Sequence, residues 1–242
     1  MFLYLAGFFK KVYTLENIQI IGKGAKVAIL DLITADKKAL SANAGQYVYL
    51  QLNGFGESRP FSILSVEGDK LRLGIKLEGR FTKKVHQLKA GKNVNIFGPL
   101  GQFTAEGHNQ KDKIIISGGI GITPLIAFAK EYFTPNSIFI VCNRFKEDVV
   151  DLDDLKNSVP SKNLFEFYSQ EDSITNPHHK ACRLDQQNLQ IILASKNLNK
   201  YKVFLCGSSG FMKSIITNLL SIGLDRNNIY TEEFSFGGTC PI

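Results

Sequence analysis

Gly118, Gly119 and Gly121 stand between three isoleucines and a Thr123-Pro124 pair in the stretch KIIISGGIGITPLIAFAK. Glycines at this spacing let a chain turn sharply and remove the side chains that would hold a ligand off the backbone. Thr123 is expected to cap the helix that follows, and Pro124 suits its first turn. The free N–H groups and positive dipole end of such a helix start seat a pyrophosphate. A second glycine turn, CGSSG at 206–210, closes another apolar run. Either turn alone is nearly as well explained as a tight strand-to-helix connection. Other reactive side chains are scattered. Cys142, Cys182, Cys206 and Cys240 form no CxxC pair, so neither a zinc site nor an iron–sulfur cluster is signalled. His178 and His179 could be read as a metal pair, but adjacent histidines in a polar loop more often face solvent. His86 and His108 have no partner in sequence.

The elements that must position these residues fall into two halves. The first hundred residues read in period two. LRLGIKLE (71–78) alternates cleanly, and segments 25–34, 45–52, 61–66 and 92–97 are further strands between Gly, Asp and Asn turns. Short strands so spaced predict a small antiparallel barrel, with one helix at about 82–88. A polar stretch without period, 105–113, marks the domain boundary. Beyond it, strands at 113–117, 137–142, 164–168, 202–206 and 228–234 alternate with helices near 124–133, 151–157, 185–195 and 210–222. This pattern predicts a doubly wound, five-stranded parallel sheet. Ligands of such sheets bind at the carboxyl edge where strand order reverses, here between the first and fourth strands. Both glycine turns follow those two strands, and their pairing is what favours a binding site.

Composition narrows the class. The chain has 242 residues, 44% hydrophobic and 21% charged, normal for a soluble protein and room for one large domain or two ordinary ones. No apolar run reaches the roughly 20 residues of a membrane span. The start, MFLYLAGFFKK, has its charge after the apolar run, the wrong order for a secretory signal. It is read as a first barrel strand or frayed end, or as a membrane-docking foot over residues 1–11 with Lys10 and Lys11 facing anionic headgroups. The cysteine usage sets a cytoplasmic default, at the inner face of the membrane if the foot docks. The net charge of +7 suits an acidic partner, a membrane face or phosphate-bearing ligands. Nucleic acid is disfavoured, because the basic residues are dispersed and no recognisable module is present.

With these motifs in order, residues 12–236 resemble the ferredoxin–NADP reductase superfamily. That resemblance implies a six-stranded Greek-key flavin barrel over 1–104 and an NAD(P)-binding domain over 113–242. RPFS (59–62) matches an Arg-x-aromatic-Ser/Thr flavin signature. By it, Arg59, with Pro60 beside it, would hold a flavin phosphate, Phe61 would pack on the isoalloxazine, and Ser62 would bond near N5. Relatives often have Tyr at Phe61, so one hydroxyl is missing here. In EGRFT, Gly79, Arg80, Phe81 and Thr82 would cradle the flavin phosphate, and Ile75 and Lys76 would run along the ring edge. GPLGQF (98–103) matches the turn leaving the barrel. CGSSGFM places Cys206 beside the nicotinamide, followed by Gly207. YTEEFSF stands where many relatives carry His-x-Glu-x-Phe. Glu232 would then lie near the nicotinamide, and Phe234 or Phe236 near the flavin face. Glu233 is left without a role.

The motif set is most similar to the dehydrogenase half of bacterial ferric-reductase and NADPH-oxidase-type flavocytochromes, whose module follows a haem-bearing membrane domain. Such a domain is absent from this sequence, so a separate acceptor is expected: a haem or iron–sulfur protein, or ferric iron. The implied reaction is hydride transfer from NADPH or NADH to bound FAD, with FMN the less favoured flavin. It needs no general acid–base pair, so the shortage of histidine constellations does not count against it. Arg144 and Lys146, after the second α/β strand, could meet a 2′-phosphate and favour NADPH, although solvated loop charges explain them equally. Two other classes stay open: a soluble NAD(P)H:free-flavin or ferric-chelate reductase, and a non-enzymatic partner-binding module on the same fold.

Overall fold

In the computed structural model, residues 10–34, 36–38, 40–52, 56–172 and 178–233 are described. The apolar segment 1–9, Phe234, Phe236 and Cys240 lie outside them. Six strands close into a barrel: β1 (Lys10–Ile21), β2 (Val27–Thr34), β3 (Tyr47–Gln51), β4 (Ser58–Glu67), β5 (Lys70–Lys76) and β6 (Asn93–Leu100). Their order around the barrel is β1-β2-β5-β4-β3-β6. The long connection from β5 to β6 holds α1 (Arg80–His86). This helix begins two residues earlier than the apolar spacing predicts. The Thr82 hydroxyl accepts the main-chain N–H groups of Glu78 and Gly79, each at 2.9 Å, and so winds the first turn.

Period-two alternation divides the barrel wall into two faces. Leu71, Leu73 and Ile75 of β5, Phe61 and Ile63 of β4, and Ala28, Leu30 and Leu32 of β2 fill the barrel core. Leu64, Val27 and Ile29 turn outward into a second core shared with the α/β half. The sequence pattern marks no strand over 12–21, where most of β1 lies. A bulge between Leu15 and Asn17 shifts the register against β2, which breaks the alternation that would have marked it.

The second half is a parallel sheet in the order β10-β9-β8-β7-β11-β12. Its strands are β7 (Lys113–Gly118), β8 (Ile138–Asn143), β9 (Leu164–Tyr168), β10 (His179–Lys180), β11 (Lys202–Gly207) and β12 (Ile229–Glu233). The helices are α2 (Thr123–Tyr132), α3 (Leu152–Ser158), α4 (Gln186–Leu193) and α5 (Ser209–Ser221). Asp185 caps α4 by accepting the Asn188 N–H at 2.8 Å, and Gly223, at φ +93°, follows the end of α5. The sheet has six strands rather than the expected five. The extra one, β10, is a His-Lys pair too short to show a period. It is fixed by the buried carboxylate of Glu166, which meets His179 Nε2 at 2.5 Å, Lys156 Nζ at 3.5 Å and the Tyr168 hydroxyl. His179 is therefore a sheet residue and not a solvent-facing loop histidine. Among the described residues no helix is long and apolar enough to cross a membrane.

Polar contacts among the described residues set the halves against each other. Asp148, after β8, accepts the main-chain N–H groups of Lys23 (2.7 Å) and Gly24 (2.9 Å) in the β1–β2 turn. Arg72 on the outer face of β5 bonds Asp31 at 2.9 Å and reaches Asp151 at 3.3 Å. Before β7, the Thr104 hydroxyl donates to the Ala44 carbonyl and bonds the His108 ring, which stacks on Tyr132 with centroids 4.6 Å apart.

Candidate flavin and nicotinamide site

Strand β7 lies between β8 and β11, so chain order reverses between β7 and β11 as the sequence pattern predicted. The two glycine turns leave the sheet side by side at that point. After β7 the chain makes one 3-10 turn, Gly119–Ile122, before α2 begins. Thr123 consequently does not cap the helix: its hydroxyl donates to the Ile120 carbonyl at 2.9 Å, and Pro124 sits inside the first turn. The tighter turn has already wound the entry, leaving no extended residue for a side-chain cap.

The three glycines do different work. A Cβ on Gly121 would lie 2.5 Å from the carbonyl carbon of Cys206, so Gly121 lets one turn press against the end of β11. A Cβ on Gly118 would meet the Phe211 ring, also at 2.5 Å, and the same ring covers Gly207. Gly119 alone combines a left-handed φ of +57° with open space; its nearest neighbour would be Asn143 Oδ1 at 3.7 Å. Only Gly119 thus matches the expectation of a backbone cleared for a ligand.

The barrel meets this edge through its outer face. Helix α2 packs on β4, and the 3-10 turn packs on β5 and β11. Gly74 makes room for the Thr123 methyl, which would lie 2.8 Å from an added Cβ. Ser62, on the same face of β4 as Leu64, is buried, and its Oγ has no hydrogen-bond partner among the described residues. Phe61, Ile75 and Phe81 turn instead into the barrel core, where the Phe61 and Phe81 rings stack at 6.0 Å. The Ile75 carbonyl meets His86 Nε2 at 2.8 Å. Pro60 and Arg80 are exposed. The Arg59 guanidinium pairs with Glu57 at the surface, and Lys76 pairs with Glu78 at 2.7 Å.

Across the sheet edge, Cys206 of β11 stands opposite Glu232 of β12. Cys206 is fully buried, and burial pushes its thiol well above the ordinary range, so it is a neutral S–H. Burial also pushes the Glu232 carboxyl up to about 7, and its Oε2 has no partner among the described residues. Arg144 and Lys146 are exposed beyond β8, with Lys146 N–H donating to Glu171 at 2.9 Å. Glu233 is exposed and bonded to Ser209. Cavities of about 510 and 470 Å³ lie elsewhere, the first beside the 146–154 segment and the second beside residues 99–108.

A buried hydroxyl and a buried carboxyl oxygen, each without a partner among the described residues and carried on elements linked by packing through a cleared glycine turn, suit a ligand that brings hydrogen-bonding atoms of its own. Residues 16–123 match the FAD-binding domain family model, and residues 115–216 match the oxidoreductase NAD-binding domain model. The chain is 25% identical over 206 residues to a flavohemoprotein of Bacillus subtilis, covering 79% of this chain and 51% of that protein. It is also 25% identical over 209 residues to a glycine betaine monooxygenase reductase subunit of Chromohalobacter salexigens, covering 81% of this chain and 56% of the relative. It therefore spans about half the length of these relatives. The flavohemoglobin of Malassezia yamatoensis, solved with bound FAD and heme, superimposes with a TM-score of 0.78 at 22% identity. That match covers 96% of this chain and 63% of the other, and establishes likeness of fold.

Proposed function

We infer the function from one premise: this chain belongs to the ferredoxin reductase-like superfamily, an FAD-binding domain followed by an NAD-binding oxidoreductase domain. It acts as a flavin-dependent NAD(P)H reductase, passing electrons to a haem or iron–sulfur partner or to ferric iron. The names of its relatives, a flavohemoprotein and an oxygenase reductase subunit, support this class of acceptor. The observation that carries the reading is a pair of buried atoms without partners among the described residues, Ser62 Oγ from the barrel and Glu232 Oε2 from β12, on elements joined through the glycine turn.

When bound, FAD supplies the hydride acceptor and relays electrons onward one or two at a time. In this reading residues 1–104 hold the flavin and 113–242 the coenzyme. Arg59 would exchange Glu57 for the flavin phosphates; both partners are exposed, so little is lost in the exchange. Thr82, by fixing the turn at Gly79, holds the N–H groups of Arg80 and Phe81 toward the same phosphates. Ser62 would bond the ring near N5, with Gly74 and Lys76 along its edge. Phe61, facing inward, supports β4 from behind. Gly118, Gly119, Gly121 and Gly207 bring the coenzyme to the edge, and the neutral Cys206 thiol packs beside the nicotinamide without a competing charge. By holding both rings at one edge these residues would make the transfer effectively unimolecular. Arg144 would favour NADPH.

An anaerobic titration of the FAD-reconstituted protein tests this. Stoichiometric bleaching of the flavin's visible absorption by NADPH, and slower bleaching by NADH, is expected. A protein that binds no flavin, or whose flavin stays oxidised with both nucleotides, overturns the reading.

A further inference from the structure

Asp148 is a buried acid that hydride transfer itself leaves unused. It closes the 3-10 turn that follows β8, and the next two residues, Val149 and Val150, are buried in the core shared by the two halves. Its Oδ1 accepts two main-chain N–H groups from the barrel, Lys23 at 2.7 Å and Gly24 at 2.9 Å, which lie 125 and 124 positions away in the chain. Hydrogen bonds to a carboxylate are shorter and stronger than neutral ones. The turn that donates them is shaped for the contact. Gly22 holds a left-handed φ of +97°, and a Cβ on Gly24 would lie 2.7 Å from the Phe145 ring and 3.0 Å from Asp148 Oδ2. Lys23 Nζ lies over the same ring, 4.8 Å from its centroid. The β1–β2 turn is thus seated between Phe145 and Asp148, with no room for a side chain at Gly24.

Both sides of this clasp connect to elements of the candidate site. On the barrel side, the Lys26 carbonyl accepts the Leu77 N–H at 2.8 Å and Val27 pairs with Lys76, which ties the turn to the end of β5 just before Gly79. On the other side, β8 pairs with β7, which ends in the glycine turn. Between them lies the packing of α2 on β4. Apolar burial is non-directional and leaves two faces free to slide, whereas a hydrogen bond has a preferred length and angle. Polar contacts therefore set the register of one half on the other. Arg72 reaches Asp151 through a long side chain, but Asp148 is short, buried and bonded to main chain.

We propose that Asp148, seated on the Gly22–Gly24 turn, is a positioning residue for hydride transfer: it fixes the barrel on the α/β half and thereby sets the approach of the nicotinamide to the flavin. This rests on the reductase reading, which gives the flavin to one half and the coenzyme to the other. Each ring is held by its own half, so a shift at the seam moves one ring against the other and leaves the contacts of each intact.

Stopped-flow reduction of the FAD-loaded protein by NADPH tests this, with rate, amplitude and half-saturating concentration read separately. A 1 Å misplacement of reacting atoms can cost about 100-fold, and Asp148→Ala is expected to slow flavin reduction at saturating NADPH about tenfold. Flavin content and the half-saturating concentration should stay at the parent values. Asp148→Asn keeps an acceptor oxygen and should recover most of the rate. Gly24→Ala, which pushes the turn off Phe145 and leaves Asp148 in place, should reproduce the loss. Because both act on one contact, the double variant should be no slower than the slower single one. A purely structural role would lower the melting temperature and the bleaching amplitude while the folded fraction reacts at the parent rate, and that result overturns the proposal. So does Gly24→Ala reacting at the parent rate. If the parent is bleached by NADPH, either failure touches the clasp alone. A parent that stays oxidised removes the reductase reading with it.

Discussion

Glu232 shows how a single burial sets chemistry. An ordinary glutamate ionises near 4.3, whereas desolvation pushes this carboxyl to about 7. The folded protein therefore binds a proton that the unfolded chain releases between about pH 4.5 and 7. Stability from this group is complete below pH 4.5 and is lost as the pH rises through 7. A shift of this size corresponds to roughly 3–4 kcal/mol as an upper bound. Glu232→Gln should flatten the fall in melting temperature between pH 5 and 8 and be the more stable protein at pH 8. Parallel melting curves for parent and variant across that range would show that the carboxyl is not desolvated. Ser62 and Cys206 illustrate the limits of residue type: a serine in a strand and a cysteine at a strand end are unremarkable until their neighbours are known.

The glycine turn between β7 and α2 is the element on which the site depends, and substitutions separate its parts. Gly121→Ala forces a methyl against the main chain of Cys206, which cannot rotate away. Overpacking of this kind costs about 1–3 kcal/mol, and here it also pushes the turn off β11. Melting should fall accordingly, and the rate of flavin bleaching by NADPH should drop at least tenfold. Gly119→Ala meets no such obstacle and carries only the left-handed backbone cost of about 1–2 kcal/mol. Gly210→Ala, in α5 with open space around it, should be neutral or slightly stabilising. Equal behaviour of all three variants would refute the division of roles. This division was not legible beforehand. The motif showed that glycines were required, but Gly118 and Gly121 are required by Phe211 and Cys206, partners 93 and 85 positions away in the chain.

At the scale of the whole molecule the charge is unevenly shared. Residues 1–104 hold 15 Lys and Arg against 7 Asp and Glu, a net +8, whereas residues 105–242 hold 14 against 15, a net −1. The positive field thus belongs to the half proposed to hold the flavin, where an acceptor must approach. Screening shortens the reach of such a field from about 30 Å at 0.01 M salt to about 3 Å at 1 M. Reduction of ferricyanide by the NADPH-reduced protein should slow several-fold over that range, while reduction of a neutral quinone should not. Equal salt dependence for the two acceptors would show that the barrel's charge does not steer electron transfer.

Local signals in the sequence carry the two-domain plan. Period two in LRLGIKLE, the β/α alternation after residue 113 and the two glycine turns are local signals, written in side chains at fixed spacing. The sequence also placed the switch point, because strand order in a doubly wound sheet is tightly constrained by connection handedness. It missed β1 beyond Lys11, where a bulge breaks the period, and β10, whose two residues hold no period at all. Only the tertiary structure decided which atoms at the site are left wanting a partner. Ser62 Oγ, Asn143 Nδ2 and Glu232 Oε2 are buried without a partner among the described residues because of what packs around them from distant parts of the chain. Burial and hydrogen-bond satisfaction are properties of the assembled neighbourhood, and no spacing along the chain encodes them.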